Sequence, residues 1–183
     1  MKHLRLLSVP LLLAARLLAA EEPAPPAPAT DDAPTWTVTL SEAIERARAG
    51  NRRILVELRD AQCPECERME KLVYPAAAFR DLMRDKVAVS VYRNTEDGRR
   101  LAERFAVRTS PAWLVVTPDL VLCGKQEGAS NQATWFERFV QTERAWGAFR
   151  KRIAEEKANP ADGGLAFAVG EEAFRRFGDA MAE

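Results

Sequence analysis

Apolar residues fall along this chain in two alternating patterns. Ile54, Leu55, Val56 and Leu58 form one nearly continuous run, VAVSVY (87–92) a second and AWLVV (112–116) a third. Short runs of this kind predict strands buried on both faces. WTVTL (36–40) predicts a first strand, and Val121, Leu122 and Cys123 predict a returning one after a turn at Pro118 and Asp119. Between the runs the spacing changes to that of helices. Ser41 is the expected cap of a helix with Glu42 and Glu45 in its first turn, Ala43, Ile44 and Ala47 on one face and Gly50 as its stop. From Pro64, Met69, Leu72 and Val73 lie at helical spacing until Pro75 ends or kinks the helix, and Phe79, Leu82 and Met83 repeat the pattern. EDGRRLAERF (96–105) predicts a surface helix with Leu101, Ala102 and Phe105 inward.

Further on, Trp135, Phe139, Trp146, Phe149 and Ile153 form one stripe of a long amphipathic helix, interrupted by Thr142, and core packing accounts for it. NPADGG (159–164) breaks the pattern, and LAFAVGEEAFRRFGDAMAE (165–183) predicts a last helix. Strands alternating with helices imply an α/β fold: a central mixed sheet flanked by helices, closed at one edge by an antiparallel hairpin, with a C-terminal helical extension. The 183 residues, 47% hydrophobic and 30% charged, suit one such domain with attachments.

The first twenty residues place Lys2 and Arg5 ahead of a Leu-rich run, the layout of a secretory signal peptide, so export to a periplasm or to the outside is expected. Arg16 interrupts that run and Leu18 stands where a small residue is usual before a cut after Ala20, so an uncleaved amphipathic anchor is the alternative, and only then is a membrane a partner. Residues 21–34, EEPAPPAPATDDAP, predict an extended, solvated linker. The expected organisation is signal peptide 1–20, linker 21–34, domain 35–145 and helical extension 146–183.

Charge and histidine content narrow the chemistry. The 27 basic and 27 acidic side chains balance, with no long run of one sign, which argues against a nucleic-acid partner. Cleavage after Ala20 would leave the remainder mildly acidic and would remove His3, the only histidine. Ser-His-Asp and Cys-His nucleophiles and imidazole zinc sites are then excluded.

What remains is Cys63-Pro64-Glu65-Cys66, set between a buried strand and a helix. There Cys63 is the expected N-cap, Pro64 occupies the first helical position, and Cys66 points back from the first turn. A helix N-terminus stabilises a thiolate, lowering its pKa from about 8.5, so Cys63 is the expected nucleophile. Cys66, less exposed, would attack the mixed disulfide and release the substrate. Glu65 sets a negative charge beside Cys63, which predicts a reducing or intermediate couple rather than a strong oxidant. A structural staple or a copper(I) clamp are the other uses of such a pair. Cys123, in a strand, is expected to be a small buried hydrophobe.

ILVELRDAQCPEC, then TSPAWLVV, then GKQEGAS resemble the thioredoxin-like superfamily over about residues 36–145. That resemblance implies a thioredoxin fold and a thiol:disulfide oxidoreductase acting on protein thiols and disulfides, served by a thiol-based electron donor or acceptor and by no cofactor or metal. It also implies that Pro111 is the family's cis-proline beside the cysteine pair, with the backbone at Ser110 pairing with substrate alongside Pro64 and Glu65. Glu57 aligns with the buried acid that helps the resolving thiol lose its proton, the alternative being an outward-facing residue in water. Gly128 is similar to the glycine closing the last hairpin, and the stretch after the motif resembles the exported branch. Gln62 departs from the family's tryptophan, and Pro-Glu between the cysteines from Gly-Pro. A non-catalytic protein-binding module and a copper(I)-binding protein are the competing function classes.

Overall fold

The computed structural model describes residues 36–177, with side chains to residue 173; the expected signal peptide and linker lie outside the described residues. Strand β1 (Trp36–Thr37) leads into α1 (Leu40–Ala49), followed by β2 (Arg53–Arg59), α2 (Pro64–Val73), α3 (Ala77–Met83), β3 (Lys86–Tyr92), α4 (Glu96–Arg104), β4 (Ala112–Val116), β5 (Leu122–Glu127), α5 (Gln132–Ala158) and α6 (Gly163–Phe177). The sheet order is β1-β3-β2-β4-β5. β1 and β2 run parallel to β3, and β4 is antiparallel to both β2 and β5, giving the mixed sheet expected.

The first strand is shorter than WTVTL implied. Thr39, not Ser41, caps α1: its hydroxyl accepts from the Glu42 N–H at 3.1 Å, while the Glu42 carboxylate accepts from the Val38 N–H at 3.1 Å. This capping-box-like exchange satisfies one orphan N–H of the helix and that of Val38 before the cap, and it starts the helix at Leu40, taking that residue out of the strand. The missed signal was Thr39 three residues before Glu42.

Alternation along β2 divides its side chains between two cores. Ile54, Val56 and Leu58 join Ala43, Ala47, Val87, Val89, Leu101 and Phe105 on the α1/α4 face. Leu55 joins Met69, Phe79, Trp113, Trp135 and Phe139 on the face covered by α2, α3 and α5. β5 passes close under α5 at Gly124, where a Cβ would collide with Thr142 Cγ2; the polar interruption in the α5 stripe therefore sits over a glycine. α5 runs unbroken past residue 145 and carries α6 against it, with Arg152 paired to Glu172. Among the described residues no helix is long and apolar enough to cross a membrane.

Candidate active site

The chain leaves the buried strand β2 and turns into α2 at Cys63. Cys63 is the N-cap of α2, Pro64 fills the first position, and the Cys63 Sγ accepts the Cys66 N–H at 3.1 Å. That donor is one of the N–H groups a helix start leaves without an intrahelical partner, and aimed at sulfur it favours the anion. The two sulfurs are joined as a disulfide, so the structure shows the oxidised pair. Cys63 keeps 8% of its surface exposed and Cys66 none. An incoming group would thus meet Cys63 first, with Cys66 beneath it.

Glu65 is not the lone charge that the sequence suggested. The Arg68 guanidinium grips its carboxylate through Nε at 2.9 Å and Nη2 at 2.5 Å. An i,i+3 pair of this kind is legible in the spacing Glu65-x-x-Arg68. It offsets part of the negative charge that Glu65 places beside the sulfur.

Glu57 is buried, 1% exposed, which removes the outward-facing alternative. Two residues after Leu55 on the same strand, it points to the α2 face and lies between Ser90 on β3 and Trp113 on β4. Its Oε2 accepts the Ser90 hydroxyl at 2.7 Å and lies 3.7 Å from Arg59 Nη1. Oε1 lacks a well-formed hydrogen bond, although the Tyr74 hydroxyl lies close enough to favour the ionised form slightly. Burial dominates and raises the Glu57 carboxyl above its ordinary pKa, against the opposing pull of Ser90, Arg59 and Tyr74. Tyr74, which accepts from the Trp113 indole at 3.3 Å, is pushed well above its ordinary value by burial and then by the nearby Glu57 charge. Arg59 also pairs with Glu70 on α2, tying the strand of the acid to the helix of the cysteines. Sequence reasoning missed Ser90 and Arg59. Ser90 is nonetheless the one polar residue within VAVSVY, as Glu57 is within ILVEL, and the register sets them opposite each other.

The Ser110–Pro111 peptide is cis. β4 starts at the next residue, Ala112, which lies opposite Leu58, so Pro111 stands at the end of the sheet where β2 runs on to Cys63. The Ser110 hydroxyl has no hydrogen-bond partner among the described residues. Gly128, at φ 78°, donates its N–H to the Pro111 carbonyl at 2.9 Å, using a left-handed conformation that glycine adopts without steric cost. Cys123 is buried in the α5-side core, and no cluster of three or more metal-ligating His, Cys, Asp or Glu occurs among the described residues.

Comparison with known proteins gives the same fold. A family model described as thioredoxin-like matches residues 35–118. The chain is similar to a thioredoxin from Thermus thermophilus, with 25% identity and a TM-score of 0.52 over 60% of this chain and 86% of that one. It shares its fold with a candidate disulphide-isomerase from Bacteroides thetaiotaomicron, with 19% identity and a TM-score of 0.53 over 60% of this chain and 91% of that one. No curated protein matches the chain significantly.

Proposed function

Because this chain is a thioredoxin-like protein, we propose that it is a thiol:disulfide oxidoreductase acting on protein disulfides through Cys63 and Cys66. The observation that carries the reading is the pair itself: a slightly exposed N-cap sulfur, bonded to the fully buried sulfur of Cys66 in the first turn and accepting the Cys66 N–H.

In the reducing direction the Cys63 thiolate attacks one sulfur of the substrate disulfide. That bond breaks, the departing substrate sulfur takes a proton, and a mixed disulfide with Cys63 forms. Cys66 gives its proton to the Glu57 carboxylate, directly or through water, and attacks the Cys63 sulfur. The second substrate sulfur leaves as a thiolate, which takes a proton from water, and the protein is oxidised by two electrons to the Cys63–Cys66 disulfide. A thiol-based donor returns those electrons. The raised Glu57 pKa suits a base that accepts a proton and returns it during re-reduction. Ser110 and Pro111 would hold the substrate backbone, and Pro64 and Glu65 would contact it beside Cys63. The N-terminal segment supports export to a periplasm or to the outside.

The test is the reduction potential of the couple, measured by equilibrating the protein in dithiothreitol or glutathione buffers and trapping free thiols. The expected value lies between about −270 and about −180 mV, because Glu65 is only partly offset by Arg68. A value near about −120 mV would mark an oxidant and overturn the assignment of direction. Absence of a reversible couple would overturn the redox reading in favour of a binding module or a copper(I) site.

A further inference from the structure

The connection from α4 to β4, which carries Ser110 and Pro111, is held by an ion pair on β5. Lys125 Nζ donates to the carbonyls of Phe105 and Ala106, each at 3.0 Å, at the end of α4. Glu127, paired with Lys125 at 2.8 Å, accepts the N–H groups of Arg108 at 2.7 Å and Thr109 at 3.1 Å. Partial burial would raise the Glu127 carboxyl, but Lys125 and the two N–H donors outweigh it and keep its pKa below the ordinary value. The loop is therefore a fixed wall at neutral pH.

Against that wall lies a cavity of about 310 Å³ lined by Arg93, Arg99, Glu103, Val107 and Arg108 among others. Its charged lining residues are three arginines and one glutamate. Arg93 joins the cavity to both segments that enter the site. Its N–H donates to the Arg59 carbonyl at 2.9 Å, and its side chain lies 3.5 Å from the Val107 carbonyl and 3.9 Å from Asp60. Asp60 is three residues before Cys63, and Arg108 is three before Pro111. Arg99 and Arg108 are exposed and make no side-chain ion pair among the described residues; Arg99 Nη1 donates only to the Asn94 carbonyl, at 2.7 Å, which leaves its charge uncompensated.

We propose that this cavity is a substrate subsite for a carboxylate, so that the protein prefers disulfides flanked by Asp or Glu in the target polypeptide. The inference rests on the oxidoreductase reading of the cysteine pair. A polypeptide lying along the Ser110–Pro111 loop and continuing toward Arg108, three residues before Pro111, would reach this lining, and a guanidinium fork matches a carboxylate in shape and charge. A cleft with an excess of positive charge also raises the encounter rate of negatively charged partners, an effect that salt screens.

The experiment compares kcat/KM for short peptide disulfides identical except for Asp, Asn or Lys on either side of the cysteines. The Asp peptide is expected to exceed the Lys peptide by about 3–10-fold at low salt, as a few partly exposed charge pairs allow, with the ratio shrinking in high salt. The charge-reversed variant Arg99→Glu/Arg108→Glu should bring the ratio to one or below. Arg99→Gln/Arg108→Gln should give an intermediate ratio, with folding checked by circular dichroism. A second arm titrates cysteine-free Asp and Lys peptides against the protein and reads backbone amide shifts around Arg99 and Arg108. Asp-selective shifts there without turnover would keep the subsite and cost the oxidoreductase reading. Equal rates for all three peptides, or a preference unchanged in the charge-reversed variant, would overturn the subsite and leave that reading standing.

Discussion

The two faces of the sheet are built from different materials. The α1/α4 face is packed with Leu, Ile, Val and Ala, with Phe105 as its one buried aromatic ring. The α2/α3/α5 face is filled by Phe79, Trp113, Trp135 and Phe139 with Tyr74, Trp36 and Trp146 at their edges, and it holds the buried carboxylate of Glu57. Trp135 stacks on Phe139 at 5.0 Å and meets Trp113 edge-on at 5.5 Å. An aliphatic face can only exclude water, whereas Trp and Tyr exclude water and also bring donors and acceptors to a buried polar group. The face under the cysteines therefore combines a dry interior with a few placed polar atoms, while the interior of the opposite face is packing alone.

The sharpest way to break this contrast is by truncation. Trp135→Ala should cost about 3–5 kcal/mol and Leu101→Ala about 2–5 kcal/mol in denaturant unfolding. Only the first should also move the reduction potential; equal movement by both would erase the distinction between a chemical and a structural face.

A smaller effect sharpens it. A carboxyl whose pKa is raised by folding holds its proton more tightly in the native state, so its contribution to stability falls as pH rises through the raised value. Glu57→Gln should therefore stabilise the protein by about 1–2 kcal/mol at pH 8, and the gain should vanish below the ordinary carboxylate range. Thermal unfolding across pH checks this, and the same variant should slow release of the mixed disulfide. A gain that grows toward acid would contradict the assignment.

The smallest effect belongs to Tyr74→Phe, which leaves the Trp113 indole without its acceptor and should cost about 1 kcal/mol. It should also push the Glu57 pKa up further, since the hydroxyl favours the ionised carboxylate. A downward move, read by carboxyl NMR titration, would place the hydroxyl elsewhere.

Much of this was legible from the chain. Continuous apolar runs located β2, β3 and β4, because a strand buried on both faces leaves no polar positions to confuse the pattern. Of the two exceptions, Glu57 was singled out in the sequence, whereas its half-buried partner Ser90 was passed over. The placement of Cys63 followed from a strand running into Pro64, since proline suits the first position of a helix. What escaped depended on groups far apart in sequence. The Lys125–Glu127 clip on residues 105–109 and the reach of Arg93 to Asp60 and Val107 arise only when the sheet is assembled. The cap at Thr39 was local and readable, but a β-rich stretch hid it.

The contact between Gly124 and Thr142 bears on inheritance. A side chain at position 124 would run into the Thr142 methyl group, so a lineage that leaves glycine there must also move or lose that methyl. Substitutions at these two positions are therefore coupled, and the long helix does not drift independently of the last strand.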